Sequence, residues 1–308
     1  MKSVSVIIPV YNGEATISAA IDSALAQRFD GEMEVIVVND GSTDSTRDVL
    51  GRYGSKIKIV DQPNRGPAAA RNAGVPVSSG GEYLTFLDAD DTWMPEYLAR
   101  TSAALDRNPG AVLAFSDVTA AGGKDEKIEL PPAGRAPRMD DLLSRGWEIF
   151  ISAVLMRRST FARCGGFCEE FRRPGFEDPY IWLRARELGE FEYVAEPLVI
   201  YRVAHFAVRA EKYATGRTIF IRLVRERYGK SARGLIRAVN SDYAAGLAQK
   251  SLMQLDAGDR KGALRTWMRV LRAKPSYFLN SSVAARLFRA RNLKRLVGMS
   301  QPAAGHLE

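Results

Sequence analysis

Two cysteines, Cys164 and Cys168, are all that the 308 residues contain. That is too few for a disulfide framework, and the pair is one residue too far apart for a CxxC motif. Reduced thiols are expected, in a fold that does without covalent or metal staples. A chain of this length, 46% hydrophobic, has ample material for that. No run of about 18 apolar residues occurs, so no membrane-spanning helix is expected. The apolar start, MKSVSVIIPVYNG, is cut by Pro9 and by Tyr11-Asn12, and no small-residue cleavage site follows. It reads as a strand and not as a secretory leader. GxGxxG is missing after that strand, which speaks against a nicotinamide-dependent dehydrogenase. These absences together point to a cytoplasmic protein.

Negative charge is scarce in the last third. Residues 209–308 carry 21 Lys and Arg against 6 Asp and Glu, about +15, whereas residues 1–208 carry 23 against 30, about −7. The net +8 therefore conceals two oppositely charged parts. Two readings of the basic part stand: arginines solvated on helix faces, or a surface that meets anionic lipid or a phosphorylated acceptor. No nucleic-acid-binding motif accompanies the charge, so no nucleic acid partner is expected.

Short β-branched runs alternate with helical patterns from residue 3 to about 118. VSVIIPV, EVIVVND, IKIVDQ and EYLTFLD read as strands. EATISAAIDSALAQ, STDSTRDVLGRYG, GPAAARNAGVPVS and PEYLARTSAALDRNP read as the helices that follow them, the second capped by Ser42 or Thr43 and the last opening on a proline. Such alternation makes a parallel, doubly wound sheet whose ligands bind beyond the carboxyl ends of the strands. AVLAFSDVTA continues as a fifth strand, and EYVAEPLVIYRV is a late one. Residues 120–138, rich in Gly, Pro and charge, read as a mobile loop of the kind that forms lids. From about residue 209 the pattern is helical, and YAAGLAQKSLMQLDAGDRKGALRTWMRVLRAKP resembles one helical hairpin of the tetratricopeptide kind. The expected division is a sheet domain over residues 1–208 and a basic helical region over 209–308.

Acids cluster where strands end. EYLTFLDADDTW sets Asp88, Asp90 and Asp91 behind an apolar run, and a cation would relieve their repulsion. Oxygen-only ligands suit Mg²⁺ or Mn²⁺, with the far side of the ion left for phosphate oxygens. The plainer reading is a solvated acidic turn. Asp40, in VIVVNDGSTD, either accepts hydrogen bonds from a nucleoside or caps the next helix. Glu177 and Asp178, in RPGFEDPYIWLRARELG, stand at a helix start either as caps or as the seat of a general base. Arg71, in NRGPAAARNAG, is a surface arginine or one that reaches a diphosphate. FLDADDT also looks like the nucleophile motif of haloacid-dehalogenase-type phosphatases, with Asp88 as nucleophile and Asp90 as acid. It lies on the fourth strand, however, and that reading leaves VSVIIPVYNGE unexplained.

Taken in order, VSVIIPVYNGEATI, VIVVNDGSTDST, NRGPAAARNAG, YLTFLDADDTWMPEYL, GGF, EDPYIWLRARELGEFEY and EPLVIYRV resemble the family 2 glycosyltransferases with the GT-A fold. The resemblance covers roughly residues 3–205. It implies a Rossmann-like, mostly parallel doubly wound sheet, here with a C-terminal helical appendage. It also implies metal-dependent, inverting transfer of a sugar from a nucleotide diphosphate sugar, UDP being the favoured nucleotide. The acceptor would be a hydroxyl of a glycan or lipid-linked intermediate, as in polysaccharide biosynthesis. The alternative is a GT-A protein that binds nucleotide or glycan without turnover.

Carried over by residue, the resemblance sets Pro9, Tyr11 and Glu14 beside the base and ribose, with Asp40 bonding the base. Arg71 falls near the diphosphate or ribose. Asp88, Asp90 and Asp91 become the DXD-type motif, in which Asp90 or Asp91 holds Mn²⁺ or Mg²⁺ and another acid touches ribose. Asp178 becomes the catalytic base, with Glu177 on the acceptor side. Two positions depart from the pattern. Pro179-Tyr180-Ile181 stand where many relatives carry a further acid, and Ala204 replaces a histidine near the metal, leaving His205, one residue on, as the candidate ligand. The expected location is cytoplasmic, with peripheral contact at the inner face of a membrane through the basic helices.

Overall fold

The computed structural model describes residues 2–122, 126–129, 133–145, 149–172, 175–202 and 214–275. Its centre is Ser3–Val10 (β1), paired in parallel with Glu32–Asn39 (β2) on one side and Tyr83–Phe86 (β4) on the other. Lys58–Asp61 (β3) extends the parallel half beyond β2. A strand covered on both faces is apolar at successive positions, not only at alternate ones. Ile7 accordingly packs with Ile36, Val38 and Phe86 on one face, while Val6 and Ile8 pack with Val35, Val37 and Leu87 on the other.

Helix Pro67–Gly74 (α3) closes the first face through Ala68 and Ala70. Ile17–Leu25 (α1), Thr46–Gly51 (α2) and Tyr97–Arg107 (α4) close the second through Ile17, Ile21, Leu50, Tyr97 and Leu98. Beyond β4 the sheet is mixed. Val154–Arg157 (β8) runs antiparallel to β4 and to Ala111–Gly122 (β6). Glu190–Arg202 (β9) is parallel to β6, and the short Thr92–Trp93 (β5) pairs antiparallel with β9. The strand order is β3-β2-β1-β4-β8-β6-β9-β5.

Two local expectations are corrected. Part of the segment read as a mobile loop is a hairpin, in which β6 pairs with Glu126–Glu129 (β7) and Thr119 stands opposite Glu129. Ser42 and Thr43 do not cap α2, because both are drawn to the loop after β1. The Asn12 N–H donates to Ser42 Oγ at 3.0 Å, and the Thr43 N–H donates to Asn12 Oδ1 at 2.7 Å. The cap position falls to Ser45, which makes no side-chain cap bond, while Asp44 Oδ1 accepts from the Thr46 N–H at 3.0 Å.

Met139–Arg145 (α5), Arg158–Cys164 (α6) and Glu177–Arg186 (α7) add to the first face. So does the beginning of the helical region. Phe220 and Val224 of Ala214–Tyr228 (α8), with Ala232 and Leu235, share one core with Phe171, Tyr180 and Trp182. The packing therefore continues across the division drawn at residue 208. From Ala244 onward Arg233–Asp256 (α9) and Arg260–Ala273 (α10) form a hairpin with its own small core of Leu247, Leu255, Ala263, Trp267 and Val270. No helix among the described residues is long and apolar enough to cross a membrane.

Gly234 fixes where α9 lies. A Cβ there would stand 2.5 Å from the carbonyl oxygen of Ser144 and 2.7 Å from its Cα, so backbone meets backbone. Gly234→Val is expected to destabilise the protein by about 1–3 kcal/mol through overpacking. Gly51→Ala, with nothing within 4 Å of the added carbon, is expected to be neutral or better. Thermal unfolding of both variants checks this.

Candidate active site

Strand register brings the candidate residues to one place. Val10 lies beside Asn39, and Ile7 beside Phe86, so the chain leaves β1, β2 and β4 at neighbouring points. There it encloses a cleft of about 610 Å³ lined by Pro9, Tyr11, Asp40, Arg71, Asp88 and Asp90, as expected for ligands at the carboxyl ends of parallel strands. Tyr11 is 51% exposed. Glu14 is not on this wall. Its Oε2 accepts from the Ser45 N–H at 2.8 Å and ties the loop after β1 to the start of α2. His205 lies outside the described residues.

Asp40 is buried and already engaged. Its Oδ1 accepts from Gln62 Nε2 at 2.6 Å and from the Arg65 N–H at 2.9 Å, and its Oδ2 accepts from the Gly66 N–H at 2.8 Å. A carboxylate has roughly four acceptor sites, so little capacity is left for a base. What this carboxylate does in the structure is shape the loop into α3. Gly66 has φ +91°, and a Cβ there would fall 2.1 Å from the carbonyl oxygen of Arg172. Only glycine satisfies both conditions.

Arg71 is the hub of the site. Projecting from α3, its Nη2 donates to Asp88 Oδ1 at 2.6 Å, and its Nη1 donates to Glu177 Oε1 and Asp178 Oδ1, both at 3.2 Å. It is buried, with the Phe167 ring centroid 5.4 Å from its guanidinium carbon and no partner for its Nε. Burial works against its charge, but Asp88, Asp178 and Glu177 more than offset this and raise its pKa. Glu177 is held from behind, its Oε2 accepting from the N–H groups of Gly175 at 2.7 Å and Phe176 at 3.0 Å. Asp178 keeps 24% of its side chain open. Burial pushes its pKa well above the usual carboxylate range; Glu177 and Asp88 push the same way, and Arg71 opposes them. A carboxyl raised in this way holds a proton more readily than an ordinary aspartate.

The three aspartates separate by depth. Asp90 is exposed on the cleft wall, and Asp88 is half-buried against Arg71. Asp91 is 1% exposed below them. Its Oδ2 accepts from Ser152 Oγ at 2.6 Å and its Oδ1 from the Arg202 N–H at 2.9 Å. Burial raises its pKa well above the usual value, with Asp88 and Asp90 adding to the shift. Ser152 also accepts from the Asp88 N–H at 3.1 Å, so one hydroxyl fixes the turn that carries all three. Among the described residues no three or more His, Cys, Asp or Glu are grouped to hold a metal ion. The donors on the wall, Asp88 and Asp90, fit a hard divalent cation that takes most of its oxygens from phosphate and water.

Three site residues were not singled out from the sequence. Arg172 and Arg202 line the cleft, and Ser152 holds the aspartate turn. Arg202 was within reach through the motif EPLVIYRV. Ser152, in ISAV, carries no local signal at all.

The sequence profile described as Glycosyl transferase family 2 matches residues 5–164, just over half of the chain. The chain is 29% identical over 216 residues to an uncharacterized glycosyltransferase, EpsJ, of Bacillus subtilis, covering 65% of this chain and 60% of that one. It is 45% identical over 101 residues to an uncharacterized glycosyltransferase of Nostoc, covering 32% and 31%. The matches thus span less than two thirds of these curated relatives. In structure it is similar to S. aureus TarS residues 1–349 in complex with UDP, at 19% identity and TM-score 0.56, covering 90% of this chain and 91% of that one. It is also similar to a mannosyltransferase from Pyrobaculum calidifontis in complex with GDP-Man and Mn²⁺, at 19% identity and TM-score 0.56, covering 96% and 83%. These likenesses speak for a GT-A fold, and with it the phosphatase reading of FLDADDT falls.

Removing the hub tests its weight. Arg71→Met is expected to lower stability by about 3–5 kcal/mol, because acids buried around it lose their counter-charge. Without the cation the Asp178 carboxyl, already raised by burial, is held up further, so the deficit is smaller near about pH 5, where protonation relieves it, than near about pH 8. Urea unfolding at the two pH values reads both effects.

Proposed function

Because the chain belongs to glycosyl transferase family 2, we propose that its cleft binds a nucleoside diphosphate sugar and passes the sugar, with inversion, to an acceptor hydroxyl at Asp178. The observation that carries this reading is the single buried guanidinium joining a cleft carboxylate, Asp88, to the two acids at the start of α7. A carboxylate joined in this way to a cleft of the size and chemistry that nucleotides need supports the reading.

In this reading Pro9 and Tyr11 flank the base and ribose, and Asp40 holds the loop behind them. Asp178 takes the proton of the acceptor hydroxyl as that oxygen bonds to the anomeric carbon. The bond from that carbon to the diphosphate breaks on the opposite face, and the leaving group keeps the electron pair. Glu177 works by position, holding the N–H groups of Gly175 and Phe176 and sharing Arg71 with Asp178. A divalent cation, Mn²⁺ or Mg²⁺, would be held by Asp90 with Asp88 and would supply positive charge to the leaving diphosphate. Arg172 and Arg202 on the cleft wall add charge of the same sign. Asp91 supports the turn from below. UDP is the favoured nucleotide, supported by the UDP complex of the S. aureus neighbour, and GDP is the second choice, supported by the archaeal one. The acceptor is a hydroxyl of a glycan or lipid-linked intermediate, approached at the inner surface of a membrane through the basic helices.

Thermal shift with UDP, GDP and dTDP, each with and without Mn²⁺, tests the donor half. UDP is expected to raise the midpoint most, and more with metal than without. No shift with any nucleotide sinks the reading. For the base, Asp178→Asn is expected to lose transfer by about a hundredfold or more while UDP still binds. Since burial raises the Asp178 pKa, wild-type transfer should fall off with decreasing pH along a limb centred above the ordinary aspartate value of about 3.9. A limb at the ordinary value would assign the base elsewhere.

A further inference from the structure

A second cleft, of about 700 Å³, opens where the end of α8, the turn Gly229–Ala232 and the start of α9 meet the end of α10. Arg225, Lys230, Arg233, Arg237 and Lys274 line it together with Asn240, and no Asp or Glu is among its described lining residues. Neighbouring arginines on α8 behave differently. Arg222 pairs with Glu170 and Glu226, and Arg227 with Glu187. Among the described residues no carboxylate pairs with Arg225, Lys230, Arg233 or Arg237. Asn240 is oriented by Arg217, whose Nε and Nη2 donate to its Oδ1 at 3.1 and 2.6 Å, which leaves the amide N–H groups as further donors.

Like charges gathered on one concave wall repel, and the wall focuses their field outward. A compact anion with several oxygens relieves that repulsion and can accept from guanidinium, ammonium and amide together, which is phosphate chemistry. The location bears on its use. Phe220 of α8 packs its ring 5.0 Å from that of Phe176, two residues before Asp178. Arg225 follows five residues later on the same helix, about 8 Å along the axis at the ordinary rise. We propose that this cleft binds the phosphate or diphosphate group of the acceptor, carried either by a soluble molecule or by a lipid head group. The assignment to an acceptor rests on the transfer reading; the existence of an anion site does not.

Calorimetric titration of the full chain with pyrophosphate in metal-free buffer tests the site. The affinity is expected to drop by about tenfold or more in Arg233→Ala/Arg237→Ala, through loss of charge-assisted contacts, and to fall in Lys230→Gln. It should be retained in Arg172→Ala, which removes a cation from the donor cleft instead. The substituted side chains are exposed, and thermal unfolding verifies that each variant is folded. Sedimentation with phosphatidylcholine vesicles, plain or doped with phosphatidate, distinguishes the sources. Binding to doped vesicles that is lost in the double variant identifies a lipid head group, whereas binding of free pyrophosphate alone identifies a soluble phosphate. Equal behaviour of wild type and double variant toward both probes overturns the proposal, as does loss of pyrophosphate binding in Arg172→Ala alone. A protein that fails to bind UDP sinks the transfer reading and leaves these outcomes readable.

Discussion

Everything at the front of the molecule depends on one buried cation. Asp88, Glu177 and Asp178 come from two elements far apart in sequence, and their charges would drive them apart if they met alone. Arg71 receives all three on one guanidinium, at 2.6 to 3.2 Å. It is the counter-charge that lets an acidic centre be built inside a protein. Its own position depends on α3, which in turn is set by the loop that Asp40 gathers. Remove Arg71 and the acids lose their counter-charge at that depth.

The parallel half of the sheet was legible because its strands are covered on both faces and so read as unbroken apolar runs between glycine turns. The acids at strand ends were legible for the same reason, since each follows such a run directly. The antiparallel half was harder to read. β8, in the middle of the sheet, is four residues long, and β5 is two, too short for any period to show. The role of Arg71 was half legible: its place after a strand suggested a diphosphate contact, while its three carboxylate partners stand 17, 106 and 107 residues away. Ser42, Thr43 and Asp44 show the limit most clearly. Any of the three can cap a helix, yet Asn12, thirty residues earlier in the chain, draws Ser42 and Thr43 away and the cap position falls to Ser45.

The helical region is two things in sequence. α8 and the first turns of α9 are part of the wall behind the acids, through Phe220, Val224, Ala232 and Leu235. The hairpin beyond them carries a separate small core, and the excess positive charge is spread over both parts.

The contact between Gly66 and the carbonyl of Arg172 has one further consequence. Gly66 and Arg172, both on the cleft wall, meet through main chain with no side chain between, so no rotamer change alters that contact. Any side chain at residue 66 would have to displace the Arg172 carbonyl, and with it that edge of the cleft.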